Sequence, residues 1–178
     1  MDSGIVETTL NGILQEGNQI DVARILAANA QESGQWLHAI PVPSLGTKLD
    51  AEQLRIGIAL RIGARICQTH KCRCGRVIDP SGLHGLSCAI NKGKYERHAS
   101  INDVIQRSLQ RAGISSTLEP NGLCRDDQKR PDGLTRFPFK NGKSLCWDSI
   151  CVDTFNQTNL AKCASVAGAA ADQAEKNK

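Results

Sequence analysis

A chain of 178 residues with 40% hydrophobic content can bury one good core, or one domain plus an appendage. Aromatic residues make up only 3%, which argues against base stacking as the main mode of any nucleic-acid binding, and a net charge of +4 is a weak signal taken alone. No secretory signal opens the chain and no apolar run approaches the ~18 residues of a membrane span, so an intracellular protein without a membrane partner is expected, its eight cysteines reduced.

Residues 5–32 carry helix-like spacing through Ile20, Ala23, Ala27 and Ala30, with Gly34 as a stop. Pro41 and Pro43 then forbid a continuing helix. A second helix is expected from Asp50, which can cap it, with Gln53 three residues on as in a capping box. Leu54, Ile58 and Ile62 are its expected buried face, and Arg55, Arg61 and Arg65 give it a basic character. Residues 1–66 read as a helical N-terminal segment, either part of the following domain or the remnant of an upstream one.

Residues 67–94 are rich in Cys, Gly and basic residues and lack periodicity, so something other than a core must order them. Cys72-Arg-Cys74-Gly75 followed by His84-Gly-Leu-Ser-Cys88 gives three thiolates and one imidazole, a donor set that suits a tetrahedral structural zinc. The one-residue gap of the first pair is tight, with Cys67, His70 and His98 as nearby substitutes; free thiols beside a satisfied histidine are the plain alternative. The other cysteines (Cys124, Cys146, Cys151, Cys163) read as small buried hydrophobes. Between Arg55 and Arg97 nine basic residues, Arg73, Arg76 and Arg97 among them, face only Asp79 and Glu96, a balance that suits a polyanion such as DNA. A merely solvated face is the competing reading.

Residues 95–178 read as the main α+β unit, a small mixed sheet with flanking helices. A third helix spans about 95–112, with Ile101, Val104, Ile105 and Leu109 as its buried stripe. A strand follows at 114–119, then hairpin strands at 133–139 and 144–153 around a turn at Lys140-Asn141-Gly142-Lys143. The Ala-rich tail is helical and ends without a cap, which suggests a C-terminally truncated fragment. On the hairpin, Asp132 follows Pro131, and Asp148 stands among Leu145, Trp147 and Ile150, where a carboxylate is costly unless it is paired or binds a metal. Such a pair can hold Mg²⁺ or Mn²⁺ against a phosphodiester. Glu119 is a third candidate acid and Asp103 a fourth; Asp126-Asp127 reads as a solvated loop. For the basic partner the sequence leaves Arg130, Lys129 and Lys162 open, with Lys140 and Lys143 too far out on the hairpin.

The order Cys72-x-Cys74 … His84-x3-Cys88, Arg97-His98, Asn102-Asp103, Arg130-Pro131-Asp132 and Asp148 resembles the restriction-endonuclease-like, PD-(D/E)xK, endonuclease region of non-LTR retrotransposon polyproteins, over about Trp36 to Phe155. The resemblance implies an enzyme that nicks one strand of target DNA so that the freed 3′ end primes copying of element RNA, and a nuclear site of action in a eukaryote. It implies a zinc-binding knuckle that helps to hold nucleic acid. It also implies catalytic-metal ligation by Asp132 and Asp148, and phosphate contact by Arg130. The lysine of the general motif is absent, since Ile150 occupies its place; Lys162, Lys176 or Lys178 on the following segment are the substitutes. A binding module without turnover, descended from a mobile element, is the alternative the missing lysine favours.

Overall fold

Local sequence signals set most of the element boundaries. A computed structural model of the chain describes residues 3–91, 93–124, 126 and 129–177, without the side chains of residues 3, 5, 6 and 94. In chain order it forms α1 (Ser3–Glu16), α2 (Gln19–Asn29), two single 3-10 turns (Gln35–Leu37 and Pro43–Leu45), α3 (Ala51–Ile62), β1 (His70–Lys71), β2 (Val77–Ile78) and the one-turn α4 (His84–Ser87). There follow α5 (Gly93–Arg111), β3 (Ser116–Leu118), β4 (Gly133–Thr135), β5 (Cys146–Trp147), α6 (Gln157–Cys163) and α7 (Ala169–Lys176). The expected long N-terminal helix is two helices, because Asn18 takes extended backbone and its side chain accepts the Asp21 amide to begin a new one. The expected capping box at Asp50 and Gln53 is present, and Gly63 ends α3 in the left-handed conformation. Gly168, also left-handed, divides the Ala-rich tail into α6 and α7.

The chain divides into two units, residues 1–91 with 152–178, and residues 92–151. The first unit is mainly helical. Its core is built of small side chains, Ala23, Cys163 and Ala170, with Leu160, Ala164 and Ala169 packed around them. Such residues let α2 and α6 approach closely, so the tail from Val152 onward joins this unit. Arg24, only 9% exposed, pairs with Asp21 and lies over the Phe155 ring at 5.4 Å, a cation–π contact that stabilises a buried guanidinium. Arg61 donates to the carbonyls of Ala28 and Ser33, tying α3 to the end of α2. The face of α3 differs from expectation: Leu54, Ile58 and Ile62 are exposed, and the helix buries Ala59 beside half-buried Ile56 and Leu60. Gly57 explains the rotation, since a Cβ there would meet the Trp36 ring at 3.3 Å.

The second unit packs α5 on the sheet β3-β4-β5. The sheet is wholly antiparallel, where a mixed one was expected. A parallel neighbour needs a crossover connection, and the links here are a loop and a hairpin. The turn at Lys140–Lys143 forms as expected, with Asn141 and Gly142 both at positive φ, the type I′ geometry that matches strand twist. The helix α5 is rotated from its expected stripe. Ile101 and Val104 are exposed, while Asn102 and Leu109 are buried with His98 and Ile105 beside them. A buried asparagine took the place of an isoleucine because it finds hydrogen-bond partners in Trp147 on β5 and in Ser149 just after it. Among the described residues no helix is long and apolar enough to cross a membrane.

Candidate metal centre and acid pair

The cysteine–histidine cluster closes in the first unit. β1 and β2 pair His70 with Ile78 and Lys71 with Val77, and the ladder is prolonged by the Cys72 amide donating to the Arg76 carbonyl at 2.8 Å. Gly75, at φ +88, permits the tight turn that sets Cys72 and Cys74 side by side despite the single residue between them. His84 and Cys88 come from the start and end of one helical turn, the Cys88 amide donating to the His84 carbonyl at 3.0 Å. Four positions apart on a helix, their side chains share a face. The loop before them is fixed by Asp79, whose carboxylate accepts the Ser81 hydroxyl and amide. Those bonds, the Ser81 hydroxyl first, hold the Asp79 carboxyl below its ordinary value.

Cys72, Cys74, His84 and Cys88 bring one ligand atom each to within 4.8 Å of all the others. The Cys72 and Cys88 sulfurs are 3.7 Å apart, close to the ~3.8 Å that a tetrahedral ion with Zn–S bonds of about 2.3 Å requires. The Cys74 sulfur lies 3.2 Å from His84 Nε2, a few tenths of an ångström tighter than such a geometry. The donor set and spacing are compatible with a structural zinc. The Ile90 amide, more than any other neighbour, lowers the Cys88 thiol. At Cys72 the Cys74 amide pulls the same way, but burial and the hydrogen bonds shared with the Cys74 and Cys88 thiols outweigh it and leave the group raised. The substitute ligands lie elsewhere: Cys67 donates to the Asp79 carbonyl, His70 contacts the Gln68 carbonyl, and His98 belongs to the second unit.

Not all of the basic stretch is available to a partner. Arg55 is held by Glu52 and the Ile66 carbonyl, and Arg61 by backbone carbonyls. Arg97 is half-buried on α5 and is not free. Arg65, Lys71, Arg73 and Arg76 are exposed, the last three on or beside the hairpin that carries Cys72 and Cys74.

In the second unit the register Gly133–Trp147 is the last pair of the β4–β5 ladder; continued one step, it sets Asp132 across from Asp148. Gly133 is required there, because a Cβ would lie 2.0 Å from the Trp147 ring. Asp132 turns its carboxylate to α5, where His98 Nε2 lies 3.0 Å away, and it accepts the Ser149 amide at 2.6 Å. Asn102 is the hub beneath them: its side-chain oxygen accepts Trp147 Nε1 at 3.2 Å and the Ser149 hydroxyl at 2.6 Å.

Asp148 is exposed rather than set in an apolar strand, since β5 ends at Trp147. It lines a cavity of about 350 Å³ with Lys129, Arg130, Pro131, Cys124 and Cys146. Lys129 and Arg130, expected near the acids, are thus brought to Asp148. Arg130 also pairs with Glu119, so this third candidate acid is engaged by a base. Asp103 pairs with Arg107 one turn along α5, a surface helix pair. Asp126 is an exposed turn residue; Asp127 lies outside the described residues, as does Lys178. Lys162 belongs to the first unit, on α6, where it donates to Gln173 and shares a surface cavity with Lys176. Among the described residues, only the cysteine–histidine cluster unites three or more Cys, His, Asp or Glu ligands. Of the scattered cysteines only Cys163 is buried; Cys124 and Cys146 are exposed.

His98 and Ser149, the partners of Asp132, and Asn102, which accepts from Trp147 and Ser149, were missed. The four-residue spacing of His98 and Asn102 was a usable signal, for it puts both on one face of α5. Comparison with family models, with curated proteins and with solved structures yields no match.

Proposed function

We propose that this chain is a DNA endonuclease domain of the retrotransposon type, in which a zinc-ordered hairpin grips DNA and Asp132 and Asp148 form the cleavage site. The carrying observation is the register that sets the two acids across from each other at the end of one ladder, with Lys129 and Arg130 lining the same cavity as Asp148. Hard oxygen donors of this kind suit Mg²⁺ or Mn²⁺, which would supply water activation and neutralise charge on the phosphate. Asp132 and Asp148 would hold the ion, His98 and the Ser149 amide would orient Asp132, and Lys129 and Arg130 would position the phosphate. Water attacks phosphorus and the P–O3′ bond breaks, leaving a 3′-hydroxyl and a 5′-phosphate. Cys72, Cys74, His84 and Cys88 would hold zinc structurally, with no open position for chemistry. The DNA target and the mobile-element origin rest on the motif order.

A second reading is binding without turnover. Two observations favour it: Asp132 is already satisfied by His98 and Ser149, and half-buried Ile150 stands in the place of the lysine. Supercoiled plasmid incubated with Mg²⁺ or Mn²⁺ separates the two. The endonuclease reading expects nicked circles from the wild type and none from Asp132→Ala or Asp148→Ala. Inert protein that still binds DNA in a salt-dependent manner leaves the second reading standing.

A further inference from the structure

The loop of the β4–β5 hairpin projects beyond the acid pair, and its composition differs from the rest of the chain. Between Asp132 and Asp148 there is no acid, while Arg136, Lys140 and Lys143 are all present and all exposed. Two of the chain's three phenylalanines are here as well, Phe137 at 65% and Phe139 at 47% exposure. Neither is needed for the core, which on this side is formed by Gly133 and Thr135.

The arm is also stiff. The Phe139 amide donates to the Lys143 carbonyl, Lys140 and Lys143 exchange backbone bonds across the type I′ turn, and the Thr135 hydroxyl donates to the Phe137 carbonyl. The Arg136 amide is anchored on the Ser115 carbonyl. The backbone that carries two aromatic rings and three cations is therefore fixed before any partner arrives.

We propose that this arm is a binding surface for single-stranded DNA, with Phe137 and Phe139 stacking on unpaired bases and Arg136, Lys140 and Lys143 contacting the flanking phosphates. Charge selects a polyanion. The exposed rings select unpaired bases, because the faces of bases in an intact duplex are already stacked. The tip is about seven residues from the acids, roughly 20 Å at strand rise, so it holds nucleotides beyond the cleaved bond rather than the bond itself. The choice of DNA over RNA rests on the endonuclease reading; stacking on a single strand does not.

The test is fluorescence anisotropy of the full, zinc-loaded chain with a labelled oligo-dT, the matching duplex and oligo-U across a salt series. Wild type should bind oligo-dT more tightly than the duplex. Phe137→Ala/Phe139→Ala should weaken oligo-dT binding by at least about tenfold and leave the duplex unaffected. Lys140→Ala/Lys143→Ala should lower the salt slope by about 1.4, at ~0.7 per phosphate contact of a single strand. Unchanged tryptophan emission checks that the variants fold. Equal oligo-dT binding by wild type and the phenylalanine variant overturns the proposal, as does tighter binding to oligo-U or phenylalanine-dependent capture by anionic vesicles. Phenylalanine-dependent oligo-dT binding by a chain that nicks no plasmid leaves the arm assigned and removes only the endonuclease reading.

Discussion

The cysteine–histidine cluster and the acid pair are both spacing patterns, yet the fold treats them differently. The four zinc-type ligands come from a segment of seventeen positions and converge through purely local geometry: a glycine turn, a two-residue ladder and one helical turn. The positions of the acids are set across from each other by sheet register, continued one step past its last pair, and Asp132 is stabilised by a helix that precedes it by some thirty positions. The first arrangement gathers three thiols and an imidazole, a donor set compatible with a structural zinc. The second is hydrogen-bonded without one. On the proposed reading the zinc would be structural, whereas Asp132, already held in place, would accept and release its ion without unfolding the unit.

The largest effect should come from the metal centre. Stripping zinc with a strong chelator, or Cys88→Ser, should disorder residues 67–91, since structural zinc contributes apparent free energies of about 10–16 kcal/mol to such segments. Metal content, and the visible absorption of a Co²⁺-substituted sample, would report the loss. The second unit should persist, with Trp147 emission, read in a Trp36→Phe background, unchanged; loss of both together would break the contrast.

A smaller effect should follow at Asn102. Asn102→Leu leaves the Trp147 indole N–H and the Ser149 hydroxyl without their acceptor and should cost about 2–3 kcal/mol in urea denaturation. Gly133→Ala forces the Trp147 ring aside and should cost about 1–3 kcal/mol with a shifted emission maximum. Neither variant should change zinc content.

The smallest effect lies in the loop that precedes His84. Asp79 is held below its ordinary carboxyl value, so its stabilisation is complete above the unfolded value of about 3.9 and is lost as pH falls through the lower folded value. In the zinc-loaded chain at neutral pH, Asp79→Asn should therefore lower stability by about 1 kcal/mol or less in urea denaturation and leave zinc content unchanged.

Element positions were legible where a local device set them. Asp50 with Gln53, Asn141-Gly142 and Gly113 each carry their own backbone instruction, and α3, the hairpin turn and the end of α5 fell where those residues place them. Helix faces were not. Ile101 and Leu54 look like core residues by hydrophobicity, but Asn102 and Gly57 decide the rotation through partners distant in sequence, Ser149 and Trp147 for one and Trp36 for the other. The ligand cluster was readable because its chemistry is compressed into one segment. The helix that serves Asp132 was only half readable: the four-residue spacing puts His98 and Asn102 on one face, but nothing in the sequence says that Asp132 and Trp147 meet that face.

The central claim is that Asp132 and Asp148 hold one hard cation, and Trp147, next to Asp148 in the chain and across the ladder from Gly133, is close enough to report it. Terbium luminescence sensitised by tryptophan, measured on the zinc-loaded chain, tests this without requiring cleavage. The account predicts saturable emission that Mg²⁺ or Mn²⁺ displaces and that disappears in Asp132→Ala, Asp148→Ala and Trp147→Phe. Emission that survives both aspartate substitutions, or that never appears in the wild type, would contradict it.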